Sequence, residues 1–109
     1  MHDRMANYHR IIIDGIQEAI ERDAIVVVGM WLNPFCARAR KALDKAGKRH
    51  TYLEYGGYHN KWRLRLAIKM WAGWPTFPMV FIRGQLVGGA EDLERLIASG
   101  ELDVLLNTE

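Results

Sequence analysis

The feature that most constrains this chain is a continuous apolar run that leads directly into a helix start. Residues 24–30 (AIVVVGM) are apolar and rich in β-branched side chains, which predicts a strand covered on both faces. Asn33 is a favoured helix N-cap and Pro34 suits the first helical position, so we expect a helix from there to about Lys45 or Ala46. A buried strand that feeds a helix predicts an α/β fold.

The other elements alternate in type along the chain. Ile12, Ile16 and Ile20 are spaced by four and predict a first helix over about residues 7–22. The first β-α-β passage implies a parallel strand pair with a right-handed crossover. A later hairpin at Arg83-Gly84 adds antiparallel strands, so we expect a mixed sheet with helices on both faces. The remaining predictions are strands over 49–55, 78–82 and 85–87, a helix capped by Asn60 and running through Trp71, a helix over 91–99, and a last turn over 102–106.

Length and composition indicate one domain, residues 1–109, with an N-terminal helix in 1–23, a core in 24–99 and a C-terminal turn in 100–109. Cys36 is the single cysteine, so no intrachain disulfide can form. No apolar run reaches the roughly 18 residues that a membrane span needs, and the N-terminus does not follow the signal-peptide pattern. We therefore expect a cytoplasmic protein with no membrane partner. His50 and His59 lack zinc-ligand spacing with the cysteine, so no metal site is expected.

Charge is unevenly distributed, although the formal net charge is only +2. Residues 33–70 contain ten basic and two acidic side chains, and the rest of the chain is acidic on balance. These basic side chains either belong to two solvated helix faces or create an electrostatic field that attracts a small anion or an acidic partner. No nucleic-acid recognition motif accompanies the basic residues, so no nucleic-acid partner is expected.

Three segments resemble the glutaredoxin family, which has the thioredoxin fold. VVVGMWLNPFCARARKAL (26–43) resembles that family's strand, active-site loop C-P-[YF]-C-x-x-A-[KR] and helix. WPTFPMVFIRGQLVGG (74–89) is similar to its W-P-T-[FV]-P-Q-[VL]-[FY]-[VI]-x-G-x-x-[VI]-G-G, and GGAEDL (88–93) to its G-G-C-D-D-L. The resemblance spans about residues 24–99. It implies a thioredoxin-like three-layer α/β fold, with a mixed four-stranded sheet and an additional N-terminal helix.

The resemblance makes Cys36 the candidate catalytic residue, in either of two registers. In the ungapped register, Asn33 stands where glutaredoxins carry the attacking cysteine, and Cys36 stands at the second, resolving position. In the other register, residues 36–43 match the C-G-F-S-R-K-A-V of single-cysteine glutaredoxins, and Cys36 is the nucleophile. In both, Cys36 lies in the first helical turn, where the helix dipole favours a thiolate. The alternative is a half-buried, inert thiol.

The resemblance also implies a glutathione site. Arg65 coincides with the arginine that single-cysteine glutaredoxins direct at the glycine carboxylate of glutathione. Lys69 coincides with a lysine of the same helix in that family. The family's cis proline allows the preceding main chain to pair with a peptide-like ligand, whereas the plain alternative is a strand-initiating proline. Gly88-Gly89 either lets a helix start approach a carboxylate or makes a tight turn. The candidate glutathione-binding residues are Arg65, Thr76, Phe77, Pro78, Gly89, Ala90, Glu91 and Asp92.

The function implied is glutathione-dependent thiol–disulfide exchange or deglutathionylation through Cys36, as part of electron transport and cell redox homeostasis. One alternative is a non-catalytic module that binds glutathione or a protein, and another is an iron–sulfur cluster carrier. The expected partners are glutathione and a thiol or disulfide client protein. Trp31 and Leu32 predict an apolar rim that contacts such a client, unless Trp31 packs against Trp74.

Overall fold

The computed structural model describes residues 2–107, and the side chains of residues 7–107. Its four strands form one sheet in the order β2-β1-β3-β4. β1 (Ile25–Gly29) runs parallel to β2 (Thr51–Glu54) and antiparallel to β3 (Met79–Ile82), and β3 pairs antiparallel with β4 (Gln85–Gly88). The mixed sheet expected from the sequence is confirmed.

Helices cover both faces of this sheet. Because side chains alternate along a strand, Val26 and Val28 of β1 pack into one core cluster while Ile25 and Val27 pack into the other. Within residues 2–107, no helix has the length and apolar character needed to cross a membrane. The helices are α1 (His2–Arg22), α2 (Pro34–Lys45), α3 (Trp62–Ala72), α4 (Ala90–Ser99) and α5 (Glu101–Leu106).

α4 and α5 each begin one residue before the predicted position, and the starts of α1 and α3 differ from prediction at polar residues. α1 begins at His2 rather than near residue 7. The prediction missed these first residues because residues 2–4 are polar and add nothing to the apolar periodicity. α3 begins at Trp62, and Asn60 does not cap it, because the Asn60 carboxamide accepts a hydrogen bond from the Gly57 N–H instead. The predicted strand over 49–55 is confined to 51–54. Residues 1, 108 and 109 of the predicted domain lie outside the described part of the chain.

Candidate functional site

An open cleft of about 480 Å³ lies where the starts of α2 and α4 meet the end of α3 and the segment that leads into β3. Its volume is within the usual range for small-molecule sites, roughly 300–1,000 Å³. Most of its wall is apolar, with a few polar and charged groups. The cleft is lined by Met30, Asn33, Phe35, Lys69, Trp74, Pro75, Thr76, Phe77, Pro78, Gly89, Ala90, Glu91 and Asp92.

Asn33 presents an amide to the cleft at the start of α2. Its Oδ1 accepts hydrogen bonds from the N–H groups of Phe35 at 2.9 Å and Cys36 at 3.0 Å, which satisfies two donors of the first helical turn. The predicted N-cap is therefore confirmed. A carboxamide can neither ionise to a nucleophile nor form a disulfide, so this wall of the cleft carries a structural cap and no reactive group.

Cys36 lies behind that wall. Its residue is 2 % exposed, it belongs to the core cluster that includes Met30, and it does not line the cleft. Its Sγ sits close to Gly29, where an added Cβ would lie 2.9 Å from the sulfur and 2.8 Å from the Tyr52 hydroxyl. Gly29 thus leaves room for a thiol turned into the protein. This placement counts against Cys36 as the attacking group.

The surroundings of Cys36 also favour the protonated thiol. Burial raises the pKa of Cys36 above its ordinary value, and the nearby Glu54 carboxylate adds to this. Hydrogen bonds from the Met30 main chain and the Tyr52 side chain act in the opposite direction and are outweighed. Burial likewise raises the pKa of the Tyr52 phenol, so neither group loses its proton easily.

The segment before β3 exposes unused main-chain groups to the cleft. The Phe77–Pro78 peptide bond is cis, as the resemblance implied. Within residues 2–107, nothing hydrogen-bonds to the main-chain N–H or C=O of Phe77, although the nearby Trp74 N–H donates to the Lys69 carbonyl at 3.2 Å. An unpaired amide beside an open cleft is a group with which an extended peptide can pair.

The start of α4 forms the opposite wall and requires a glycine. The Asp92 carboxylate accepts a hydrogen bond from the Gly89 N–H at 2.9 Å through Oδ2 and one from Arg95 Nη2 at 2.5 Å through Oδ1. A Cβ on Gly88, whose φ is +127°, would lie 2.1 Å from Asp92 Oδ2. The remaining N–H groups of the first turn of α4 are available to an anion.

Seven of the eight predicted ligand residues line the cleft, and Arg65 does not. Arg65 is 7 % exposed, and its Nη1 donates to the carbonyls of Tyr55 at 3.0 Å and Asn60 at 2.6 Å. It therefore holds the loop before α3 in this structure, and its predicted role as a glutathione ligand stays a prediction. Among the lining residues, Lys69 is the cation, and its Nζ lies 5.6 Å from the centre of the Phe77 ring.

An exposed apolar rim borders the cleft, as the sequence indicated. Trp31, Leu32 and Phe35 are all exposed. The Trp31 ring lies over Gly57, where an added Cβ would be 3.1 Å from Cε3. Phe35 also lines the cleft, although the predicted ligand residues did not include it.

Comparison with known proteins identifies relatives across most of the chain. The family described as "Glutaredoxin" matches residues 33–87, half of the sequence. A "Glutaredoxin-like protein" of Dictyostelium discoideum is 43% identical over 96 residues, which cover 88% of this chain and 78% of that protein.

Solved structures agree with these relatives. A dithiolic glutaredoxin from Trypanosoma brucei brucei is 34% identical with a TM-score of 0.70, over 84% of this chain and 95% of that one. A buckwheat glutaredoxin, solved as a glutathione complex, has a TM-score of 0.76 at 24% identity, over 90% of this chain and 89% of that one. The second similarity supports the thioredoxin-like fold alone.

Proposed function

Because the chain belongs to the glutaredoxin family, whose members act in thiol redox chemistry, we propose that it binds glutathione non-covalently in the cleft. One observation carries the proposal: Asn33 lines the cleft, whereas the thiol of Cys36 is buried behind it. The protein is then a glutathione-binding module in which recognition persists without the usual attacking thiolate at the cleft wall.

The cleft offers complementary groups for each part of the tripeptide. Lys69 supplies a positive charge for one terminal carboxylate, and the free N–H groups at the start of α4 supply donors for the other. The main chain of Phe77 supplies a donor and an acceptor for the peptide between them.

A calorimetric double-mutant cycle tests this proposal. Glutathione should bind wild type, and the Lys69→Ala variant should bind about tenfold more weakly, a loss of about 1.4 kcal/mol. The glycine monoethyl ester of glutathione should bind wild type more weakly than glutathione does, by a similar factor. On Lys69→Ala the two ligands should bind with nearly equal affinity, because the variant already lacks the contact with the glycine carboxylate. Lys41→Ala, an exposed lysine outside the cleft, is the matched control. Absence of glutathione binding at millimolar concentration contradicts the proposal.

A second candidate function is thiol–disulfide exchange through Cys36. It is favoured by the position of Cys36 in the first turn of α2 and by its hydrogen bonds to Met30 and Tyr52, which favour the thiolate. Incubation with oxidised glutathione, followed by mass measurement of the intact protein, separates the two functions. Exchange adds one glutathionyl group to Cys36, whereas the binding module stays unmodified.

The iron–sulfur alternative does not fit the geometry. A cluster ligand must reach the metal as a thiolate, and Cys36 is buried with a raised pKa. We therefore assign no cluster chemistry to the chain.

The exposed rim of Trp31, Leu32 and Phe35 supports a further part of the proposal, contact with a thiol or disulfide client protein. A single unpaired cysteine suits a reducing compartment such as the cytoplasm, which we propose as the location.

A further inference from the structure

α3 carries a second apolar stripe that the fold does not use. Leu64 and Ile68 face the core, whereas Trp62, Leu66 and Met70 are 60, 49 and 75 % exposed. These three residues are spaced by four, so they lie in one row along the helix surface. A row of large apolar side chains on a surface helix is a feature of interaction sites. None of the three lines the cleft.

Unpaired positive charge accompanies the stripe. Lys61 and Arg63 form no ion pair within the described side chains, and the sequence between Tyr55 and Ala90 contains no acidic residue. Lys61 Nζ instead donates to the Tyr8 hydroxyl at 3.2 Å.

Aromatic rings hold these cations beside a groove. The Arg63 guanidinium lies 5.1 Å from the centre of the Trp62 ring, and Lys61 Nζ lies 5.4 Å from that of Tyr8. The groove, of about 470 Å³, runs between α1 and α3. Among the side chains of residues 7–107, no carboxylate lines it and two cations do, so the field of these groups attracts anions. The stripe and this groove together form what we call the α3 face.

We propose that the α3 face binds an acidic amphipathic helix of a partner protein. Apolar side chains of that helix would pack along Trp62, Leu66 and Met70, and its flanking carboxylates would pair with Lys61 and Arg63. A symmetric dimer through this face would bring the same cations of two copies together, which charge repulsion opposes. The proposal is independent of glutathione binding.

A synthetic helical peptide, with leucines at positions i, i+3, i+4 and i+7 flanked by glutamates, is the probe for calorimetry. It should bind wild type, and binding should weaken at high salt. Lys61→Glu/Arg63→Glu and, separately, Leu66→Ser/Met70→Ser should each weaken binding by about tenfold or more. Lys41→Glu/Lys45→Glu changes the net charge by the same amount on exposed α2 residues and should leave affinity within about twofold.

Three results would overturn the proposal. The first is equal binding of a control peptide with lysines in place of the glutamates. The second is a wild-type dimer in sedimentation that Leu66→Ser/Met70→Ser converts to monomer, which makes a second copy the occupant. The third is binding to phosphatidylglycerol vesicles, but not to the peptide, that the same variant abolishes. Circular dichroism confirms that each variant is folded, which is expected because all six substituted residues are exposed.

Discussion

The two sides of the cleft differ in what they contribute. The side formed by residues 74–92 presents main-chain groups, among them the unpaired amide of Phe77 and the capped start of α4. The side formed by residues 30–36 presents the carboxamide of Asn33 and keeps Cys36 inside the protein. Recognition and reaction are therefore separable in this fold: the first depends on backbone shape together with the charge of Lys69, and the second on a single cysteine side chain.

The reason for this separation is physical. A main-chain donor is independent of residue type as long as the backbone keeps its course, so the main-chain part of recognition tolerates substitution except at positions such as Gly88, and Lys69 adds one side-chain contact. A thiolate, by contrast, needs both a sulfur atom and an environment that stabilises its charge. Neither is present at Asn33.

The largest effect is expected from disturbing the backbone side. Gly88→Ala should lower the free energy of unfolding by about 3 kcal/mol, because its Cβ would collide with the Asp92 carboxylate and its φ is positive. Urea denaturation followed by circular dichroism measures this. In the control, Gly15→Ala in α1, the Cβ meets no atom within 4 Å, and stability should rise by up to ~1 kcal/mol. If Gly88→Ala were as stable as wild type, the Asp92 carboxylate and the backbone at residue 88 would be able to move and accommodate the Cβ without cost.

The next largest effect concerns the buried thiol. Cys36 should react with iodoacetamide at pH 8 about 100-fold more slowly in the folded protein than in urea, because the thiol is buried and protonated. Since burial raises its pKa, the folded-state rate should still be rising at the ordinary thiol value of about 8.5, with its inflection above that pH. Fast alkylation at pH 7, with an inflection below that value, would instead make Cys36 a reactive group.

A smaller effect distinguishes Arg65 from Lys69, two of the cationic residues of α3. Arg65→Lys should reduce stability by about 1–2 kcal/mol, because a lysine cannot reproduce both hydrogen bonds to Tyr55 and Asn60, and should change glutathione affinity by less than about threefold. Lys69→Ala should show the reverse pattern. Denaturation and calorimetry on both variants check this. If the Arg65 variant loses glutathione affinity and the Lys69 variant does not, Arg65 binds glutathione as the sequence predicted.

The smallest effect is expected at the reaction side itself. Asn33→Ala removes the acceptor for two N–H groups of α2 and should cost about 1 kcal/mol of stability, whereas Asn33→Asp keeps an acceptor and should cost less. Glutathione affinity should change little in either variant, because the ligand contacts proposed above lie on the other side. Chemical denaturation ranks the three proteins. An Ala variant as stable as wild type would mean that the cap is dispensable.

The order of the elements was predictable because its signals are local. Apolar runs, the Asn33 cap and the hairpin at Arg83-Gly84 each act within a few residues, and the sheet they imply is confirmed. Residues 74–78 and 89–92 line the cleft together, since the glycines and prolines of this segment determine its backbone directly, and their role as glutathione ligands stays a prediction.

Whether an individual side chain is buried or faces the cleft could not be predicted from the sequence. Arg65 and Lys69 are one helical turn apart, and only the carbonyls of the loop before α3 decide that Arg65 is held away from the cleft. The Cys36 side chain points inward because Gly29 of β1, next to Tyr52 of β2, leaves a space for its sulfur. Such contacts between distant segments leave no periodicity in the sequence.

The most direct test of the separation between recognition and reaction is a ¹⁵N NMR titration with reduced and then oxidised glutathione, combined with the mass of the intact protein. We expect saturable shifts at Phe77 and at residues 89–92, with the mass of the protein unchanged after oxidised glutathione. Absence of shifts at those amides, or the gain of a glutathionyl group on Cys36, would contradict it.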